Sequence, residues 1–361
     1  MDYEIKWWNS ELVNKETLPK NILILNARLK TELLIEFCLI HGINFKMFEL
    51  DGYRVNISPK LAKYTTYLPR EQLYDPQYYI QNLDFVPDMI INWRDEEVPN
   101  VLEYELSQYW KPKTQFDKRA LKFFSSKREQ DRVCKLMGVP TLDEGKPGDK
   151  IIVKLNSGEG GGGDGYKSAI KGEYQPKKND FIQRYINYEY SIIQMVLCDN
   201  DGEYHIYNHT IGVPGNGVQM GQNIPFMYQF PHNKFPKEEM DIIKNFYKKL
   251  KEHITVKNRI VATEWSKEKN GKLHFQEFNS RPFGQLEIGS YCWDIGKFNT
   301  VVDFFTQKVQ PEIEYYQQIT SVYLDNIRTN KPFGWGHYKD LALVKLPYSE
   351  KIKTWNTKDS I

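Results

Sequence analysis

The chain has 361 residues, enough for two or three packed units, and 40% of them are hydrophobic and 14% aromatic, so a sizeable core can form. Its 49 basic and 47 acidic side chains leave a formal net charge of +2, which excludes the global field that draws a protein to nucleic acid or an anionic membrane. The longest apolar stretch, 33–40, is interrupted by Glu36 and is far too short to cross a bilayer, so no membrane partner is expected.

The N-terminal "MDYEIKWW" has acids and Trp where a signal peptide has a basic region and a plain apolar core. The four cysteines (Cys38, Cys134, Cys198, Cys292) lie far apart with no CxxC pair. A disulfide framework and a zinc site are therefore not expected, and a cytoplasmic location fits best.

Residues 21–110 alternate strand-like and helix-like text. "NILILNA" reads as a buried strand, "TELLIEFCLIHG" as a helix ending at Gly42, and "NFKMFEL" and "DMIINW" as further strands. That pattern predicts a small parallel α/β sheet. Asn92 and Arg94 close the last strand, either facing a cleft or, as the preferred reading, solvated in a loop. Pro112 breaks the pattern and sets a boundary near 113. In "SSKREQDRVCKLMGVP", Ser126 and Glu129 form a capping box, and Gly138 with Pro140 supplies the stop. Residues 150–200 read as short strands and 237–254 as a helix. "RIVATEWS" and "KLHFQEFN" follow as two strands joined through Asn270-Gly271. Beyond about 330 there is no usable periodicity.

"IIVKLNSGEGGGGDGYKSAI", residues 151–170, holds six glycines in eight positions. Gly158, Gly160 and Gly163 satisfy GxGxxG, yet Asp164-Gly165 and strand-like text follow where a dinucleotide loop opens a helix. A Walker loop fails because Tyr166 separates Gly165 from Lys167. Two readings stay open. One is a flap whose backbone N–H groups close over phosphates, with Lys154 in the strand leading into it; the other is a solvated hairpin tip. A buried Lys154 favours the first, since an ammonium there needs an anionic partner.

The second signal is "RIVATEWSKEKNGKLHFQEFNSRPFG". A two-residue turn at Asn270-Gly271 makes opposed residue numbers sum to 541, which sets Glu264 opposite Glu277. Two carboxylates directly across a strand pair repel unless a cation lies between them or one holds a proton. Alternation places Asn279 on the face of Glu277, and the set of oxygens suits Mg²⁺. Arg281, two residues on, is placed to stabilise a transferring phosphoryl group or an oxyanion. The plainer alternative is a solvated sheet face. Lys127, at the first position of the helix capped by Ser126, opposes the helix dipole, which a nearby anion would explain. Its plainer reading is also a solvated face.

Together these residues resemble the ATP-grasp superfamily over roughly 115–310, in the order of D-alanine–D-alanine ligase and biotin carboxylase. The motifs are a lysine opening a helix that ends in Gly-x-Pro, a second lysine before a glycine-rich flap, a hinge strand with a later glutamate ("FIQRYINYE"), and an acid-to-acid hairpin ending in E-x-N. The resemblance implies an α+β fold: an N-terminal parallel α/β domain (1–113), a lid lobe with the flap (114–185), a large lobe with the metal site (186–330) and a C-terminal extension (331–361). It implies that Lys127, Lys154 and the flap glycines Gly160, Gly161, Gly162 and Gly163 contact phosphates. Gln183, Arg184, Tyr185 and Ile186 would line the adenine hinge, and Glu189 would take the ribose. Glu264, Glu277 and Asn279 would hold one or two Mg²⁺ ions, with Mn²⁺ as a substitute.

Three positions depart from the family pattern: Gln183 stands where the hinge starts with an acid, Glu264 where Asp is common, and Ala262 where many ligases carry an arginine. The activity implied is ATP-dependent ligation of a small-molecule or peptide carboxylate to an amine through an acyl phosphate, with Arg281 and Lys154 as catalytic groups. A phosphotransferase and a non-catalytic nucleotide-binding module are the alternatives. Nucleic acid, suggested only by the basic run 111–135, is not an expected partner.

Overall fold

The computed structural model of the chain describes residues 15–26, 32–52, 62–92, 94, 96–157, 166–213, 227–230, 236–281, 318–323 and 341–346. The glycine stretch 158–165, with Gly160 to Gly163, lies outside the described residues, as do Cys292 and most of "GVPGNGVQMGQN".

The first unit runs β1 (Asn21–Leu25), α1 (Glu32–His41), β2 (Asn44–Leu50), β3 (Thr65–Leu68), α2 (Arg70–Leu73), α3 (Pro76–Asn82), β4 (Met89–Asn92) and α4 (Glu97–Trp110). Its strands pair in parallel in the order β3-β2-β1-β4. Parallel neighbours need long crossovers, and α1 supplies the one between β1 and β2, ending where Gly42 turns at φ 67°. Strands covered on both faces are apolar throughout rather than alternating, which is how "NILIL" and "MIIN" read.

Next come β5 (Gln115–Phe116), α5 (Lys118–Ser125) and α6 (Lys127–Leu136). Ser126 Oγ accepts from the Glu129 N–H at 3.2 Å, giving α6 half of the expected capping box. The Glu129 carboxylate turns instead to Arg132. A three-stranded antiparallel lid sheet follows, β6 (Lys150–Leu155), β7 (Tyr166–Ile170) and β8 (Asp180–Arg184), in the order β7-β6-β8.

The remaining elements are β9 (Tyr188–Cys198), β10 (Tyr204–Val213), β11 (Met227–Phe230), α7 (Lys237–His253), β12 (Val256–Lys257), β13 (Arg259–Glu268), β14 (Leu273–Asn279), β15 (Gln318–Tyr323) and β16 (Leu341–Leu346). Seven of these strands form one sheet in the order β14-β13-β9-β10-β11-β15-β16. β16 lies past 330, where the sequence offers no usable periodicity. Its run "LALVKL" does not alternate, so period-two reading misses it.

The main core lies between one face of β9, β13 and β14 and the helices α5, α6 and α7. Trp265, Phe123, Phe246 and Phe278 are fully enclosed there. Phe246 meets Trp265 edge-on at 5.4 Å, and Phe124 stacks on Phe278 at 5.7 Å. Each such side chain contributes about 1.5–3 kcal/mol on burial. The opposite face of β13 and β14 is left to look toward the lid.

Candidate functional site

The site is built on the hairpin β13–β14, and its register carries a correction. Gly271 N–H donates to Glu268 O and Glu268 N–H to Lys272 O, both at 2.8 Å, so the loop is the three residues Lys269, Asn270 and Gly271. Trp265 therefore faces Phe275, not Gln276. A β-bulge at Gln276 then adds one residue to β14, and beyond it Glu264 faces Glu277 as expected. Two offsets of one residue cancel. The bulge also sets the chemistry. In an unbroken alternation Glu277 would share the core side of Leu273 and Phe275. The extra residue turns Gln276 and Glu277 toward the lid and puts Phe278 back in the core.

Two lysines reach this site, Lys127 from the start of α6 and Lys154 from the lid strand β6. Lys127 Nζ donates to Glu277 Oε1. Lys154, buried in β6 at 4% exposure, lies 3.4 Å from Gln276 Oε1. The start of α6 is tied to the lid strands. Lys127 N–H donates to Asn156 O (2.9 Å), Arg128 N–H to Asn156 Oδ1 (2.8 Å), and the Arg128 guanidinium to Asp180 O (2.6 Å). Lys154 thus comes from the lid sheet, Lys127 from the start of a helix that packs on the large sheet and is tied at that end to the lid strands, and both carboxylates come from the large sheet.

Burial lowers the Lys154 ammonium to about 8, against the pull of Glu277. Burial, and then the Glu277 charge, push the Glu264 carboxyl up to about 7, against Lys154, Lys127 and Arg281. Asn279 is 4% exposed, and its Nδ2 has no partner among the described residues. A small pocket at this point is lined by Ser126, Lys127, Asn156, Glu277 and Asn279.

Among the described residues no group of three His, Cys, Asp or Glu side chains forms a metal cage. Two carboxylates and an amide fit instead an ion such as Mg²⁺, which keeps waters and shares phosphate oxygens. An ammonium already lodged on Glu277 shows that the position takes a cation.

At the hinge, Arg184 N–H donates to Asp143 O (2.6 Å) and Tyr185 N–H to Lys150 O (2.9 Å). The Ile186 N–H has no backbone partner among the described residues. Gln183 is buried with its Oε1 unpartnered among the described residues, so this amide keeps an open acceptor. Ile186 packs with Leu142 and Tyr188 into a small separate apolar cluster, a wall that sequence reasoning did not identify. Glu189 is exposed at a register irregularity of β9. The Arg184 side chain pairs with Glu268 (3.1 Å) and Asp143 (3.5 Å).

Asn92 and Arg94 correct the preferred loop reading. Both are buried, Arg94 pairs with Glu49 (3.3 Å) and Glu96 (3.2 Å), and Asn92 Oδ1 accepts from Asn26 (3.1 Å). The partners that enclose Asn92 and Arg94 include Asn26, just past β1, and Glu49 in β2, far away in sequence.

No family model matches the chain, and no curated protein matches it by sequence. Solved structures do. N5-carboxyaminoimidazole synthetase from Staphylococcus aureus aligns over 96% of this chain and 97% of its own, with a TM-score of 0.64 at 13% identity. L-amino acid ligase from Bacillus licheniformis aligns over 92% and 95%, with a TM-score of 0.66 at 11% identity. Biotin carboxylase from Campylobacter jejuni, solved as a beta-gamma-ATP complex, aligns over 86% and 76%, with a TM-score of 0.64 at 14% identity.

Proposed function

The chain has the ATP-grasp fold, and from that premise we propose that it is an ATP-dependent ligase joining a substrate carboxylate to an amine with release of ADP and phosphate. The observation that carries the reading is the facing pair Glu264 and Glu277 with Lys127 brought onto it from the start of α6 and Lys154 from the lid. The division into an N-terminal domain (1–113), a lid lobe (114–185), a large lobe (186–330) and an extension (331–361) belongs to the same proposal.

A carboxylate oxygen of the substrate attacks the γ-phosphorus of ATP. The O–P bond of an acyl phosphate forms and the bond to ADP breaks. The amine then attacks the acyl carbon, expels phosphate and loses a proton. Lys127 and Lys154 hold the phosphates, and Arg281 holds the charge that develops on the acyl oxygen. The Ile186 N–H and the Gln183 amide oxygen offer a donor and an acceptor to a purine edge, over the apolar cluster of Leu142, Ile186 and Tyr188. Glu189 takes the ribose. Glu264, Glu277 and Asn279 are the residues that would hold Mg²⁺, whose chemistry is to neutralise charge on the phosphate oxygens. The flap residues 160–163 would exclude water from the acyl phosphate.

The test is ADP release from Mg²⁺-ATP with pooled carboxylates and amines. Responding pools are then resolved by mass spectrometry. Wild type should release ADP with a subset of pools and Glu277→Ala should not. Equal traces from both with every pool, despite nucleotide binding, would refute the ligase. A stable phosphoester with no free phosphate would assign a phosphotransferase instead.

A further inference from the structure

The strand that carries the candidate metal ligands ends at Asn279, whose pairing with Ala262 is the last rung of the ladder. Arg281 lies beyond that rung, so the sheet alone does not hold it. Gln130 bonds both backbone groups of Phe278, and past the last rung the chain is gripped at the residue between Asn279 and Arg281, Ser280, which is fully buried. Its carbonyl accepts from Arg259 Nε at 2.6 Å, and its hydroxyl donates to Asn100 Oδ1 at 3.2 Å. Both grips depend on the N-terminal unit.

Arg259 opens β13, and its Nη1 and Nη2 both go to the Glu103 carboxylate on α4, the second at 2.8 Å. The rings of Phe116 and Phe124 cover the guanidinium at 5.2 and 5.4 Å. Asn100, one turn before Glu103 on the same helix face, also accepts from Asn92 Nδ2 at 3.4 Å, and Asn92 in turn accepts from Asn26. Asn100 and Glu103, both buried on one face of α4, are an unusual pair to enclose, and what they grip explains them.

We propose that Asn100 and Arg259 are positioning residues that hold Ser280, and through it Asn279 and Arg281, in the geometry the nucleotide–metal site needs. This inference rests on the nucleotide-site reading above and extends it: the N-terminal unit sets the affinity of the reaction centre as well as packing beside it. Groups that orient a ligating side chain from behind typically change metal affinity by about 10–100-fold when removed. Ser280→Ala deletes one hydroxyl and tests the grip with the least damage to folding. Ser280→Thr keeps that hydroxyl and is the rescue control. Asn100→Ala removes the acceptor.

The measurement is a Mn²⁺ titration followed by electron paramagnetic resonance on the full chain with saturating ADP, beside ADP binding without metal. For Ser280→Ala and Asn100→Ala the Mn²⁺ dissociation constant should rise about tenfold. ADP binding without metal should stay within about twofold, and Ser280→Thr should match wild type. Lower melting temperatures with unchanged Mn²⁺ affinity would show a purely structural role and overturn the proposal. If wild type itself shows no ADP-dependent Mn²⁺ binding, the function proposed above fails and this inference falls with it. If Asn100→Ala does not fold, the comparison of Ser280→Ala with Ser280→Thr decides alone.

Discussion

On the proposed reading an ammonium and a metal ion would compete for the Glu277 carboxylate. Lys127 holds that carboxylate now, so a cation arriving without nucleotide must displace it. Replacing Lys127 with Ala should therefore move two affinities in opposite directions. Nucleotide loses a charge-assisted contact of about 1.5–3 kcal/mol, a loss of roughly tenfold or more in binding. Mn²⁺ alone should bind several-fold tighter, and calorimetry with and without ADP reads both. A weaker Mn²⁺ site in the variant would show that Lys127 does not occupy the metal position. The pH dependence of the metal-free protein follows from the same cluster. Glu264 is raised to about 7, so its contribution to stability is full below about 4.5 and is lost as pH rises through 7. Lys154 is lowered to about 8, so its contribution is full above about 10.5 and is lost as pH falls through 8. Together these leave the pair at its least stabilising between about 7 and 8. Urea midpoints measured in a chelator should therefore fall from pH 5 to 7 for wild type relative to Glu264→Gln. Parallel curves would mean that Glu264 titrates normally.

Among the elements, the hairpin β13–β14 shows what could and could not be read beforehand. The opposition of Glu264 and Glu277 was legible, but by way of a turn one residue too short and a bulge left out. The bulge did leave a trace. The apolar positions Leu273, Phe275 and Phe278 slip phase by one residue where Gln276 is inserted, a slip no regular strand tolerates on a buried face. Deleting Gln276 should straighten the ladder while Glu264 and Glu277 stay opposite each other, so ADP-dependent Mn²⁺ binding should survive. Its loss in a folded deletion variant would mean that the Gln276 contact with Lys154 is itself required. Gly271 turns at φ 91° with open space around it. Gly271→Ala should accordingly cost about 1–2 kcal/mol through backbone strain alone, seen as a lower urea midpoint with unchanged nucleotide affinity. β1, β4 and β6 were plain from their apolar runs, β2 and β8 from shorter apolar groups, and α6 from Ser126 and Gly138. β10, β11 and β15 were not, because they mix polar and apolar residues without strict alternation, and β16 was not although its run is largely apolar.

Across the whole molecule, the proposed function depends on how the parallel sheet, the lid sheet and the seven-stranded sheet are held, and that information is long-range. Ser280 and Asn100 lie 180 residues apart and Arg259 and Glu103 lie 156 apart, separations no local pattern encodes. The lid is joined to the large sheet by a second tie. Arg184, at the end of β8, bonds Glu268 at the tip of the β13–β14 hairpin, and His274 meets the same carboxylate at 3.2 Å. Glu268 is held below the usual carboxylate range by the Arg184 hydrogen bond, against the effect of its burial. This tie spans the hinge, so it acts on the angle between lid and sheet. A partly exposed ion pair contributes only about 0.2–1 kcal/mol after solvent screening, so its removal should be mild. Arg184→Ala and Glu268→Ala should each weaken ADP binding about two- to fivefold, while the backbone groups of the hinge remain in place. Because both changes break one interaction, the double variant should lose no more than either alone. Calorimetric titration of the four proteins with ADP decides the point. A double variant whose loss is the product of the single losses would show that the two side chains act separately, and that the angle between lid and sheet is set elsewhere.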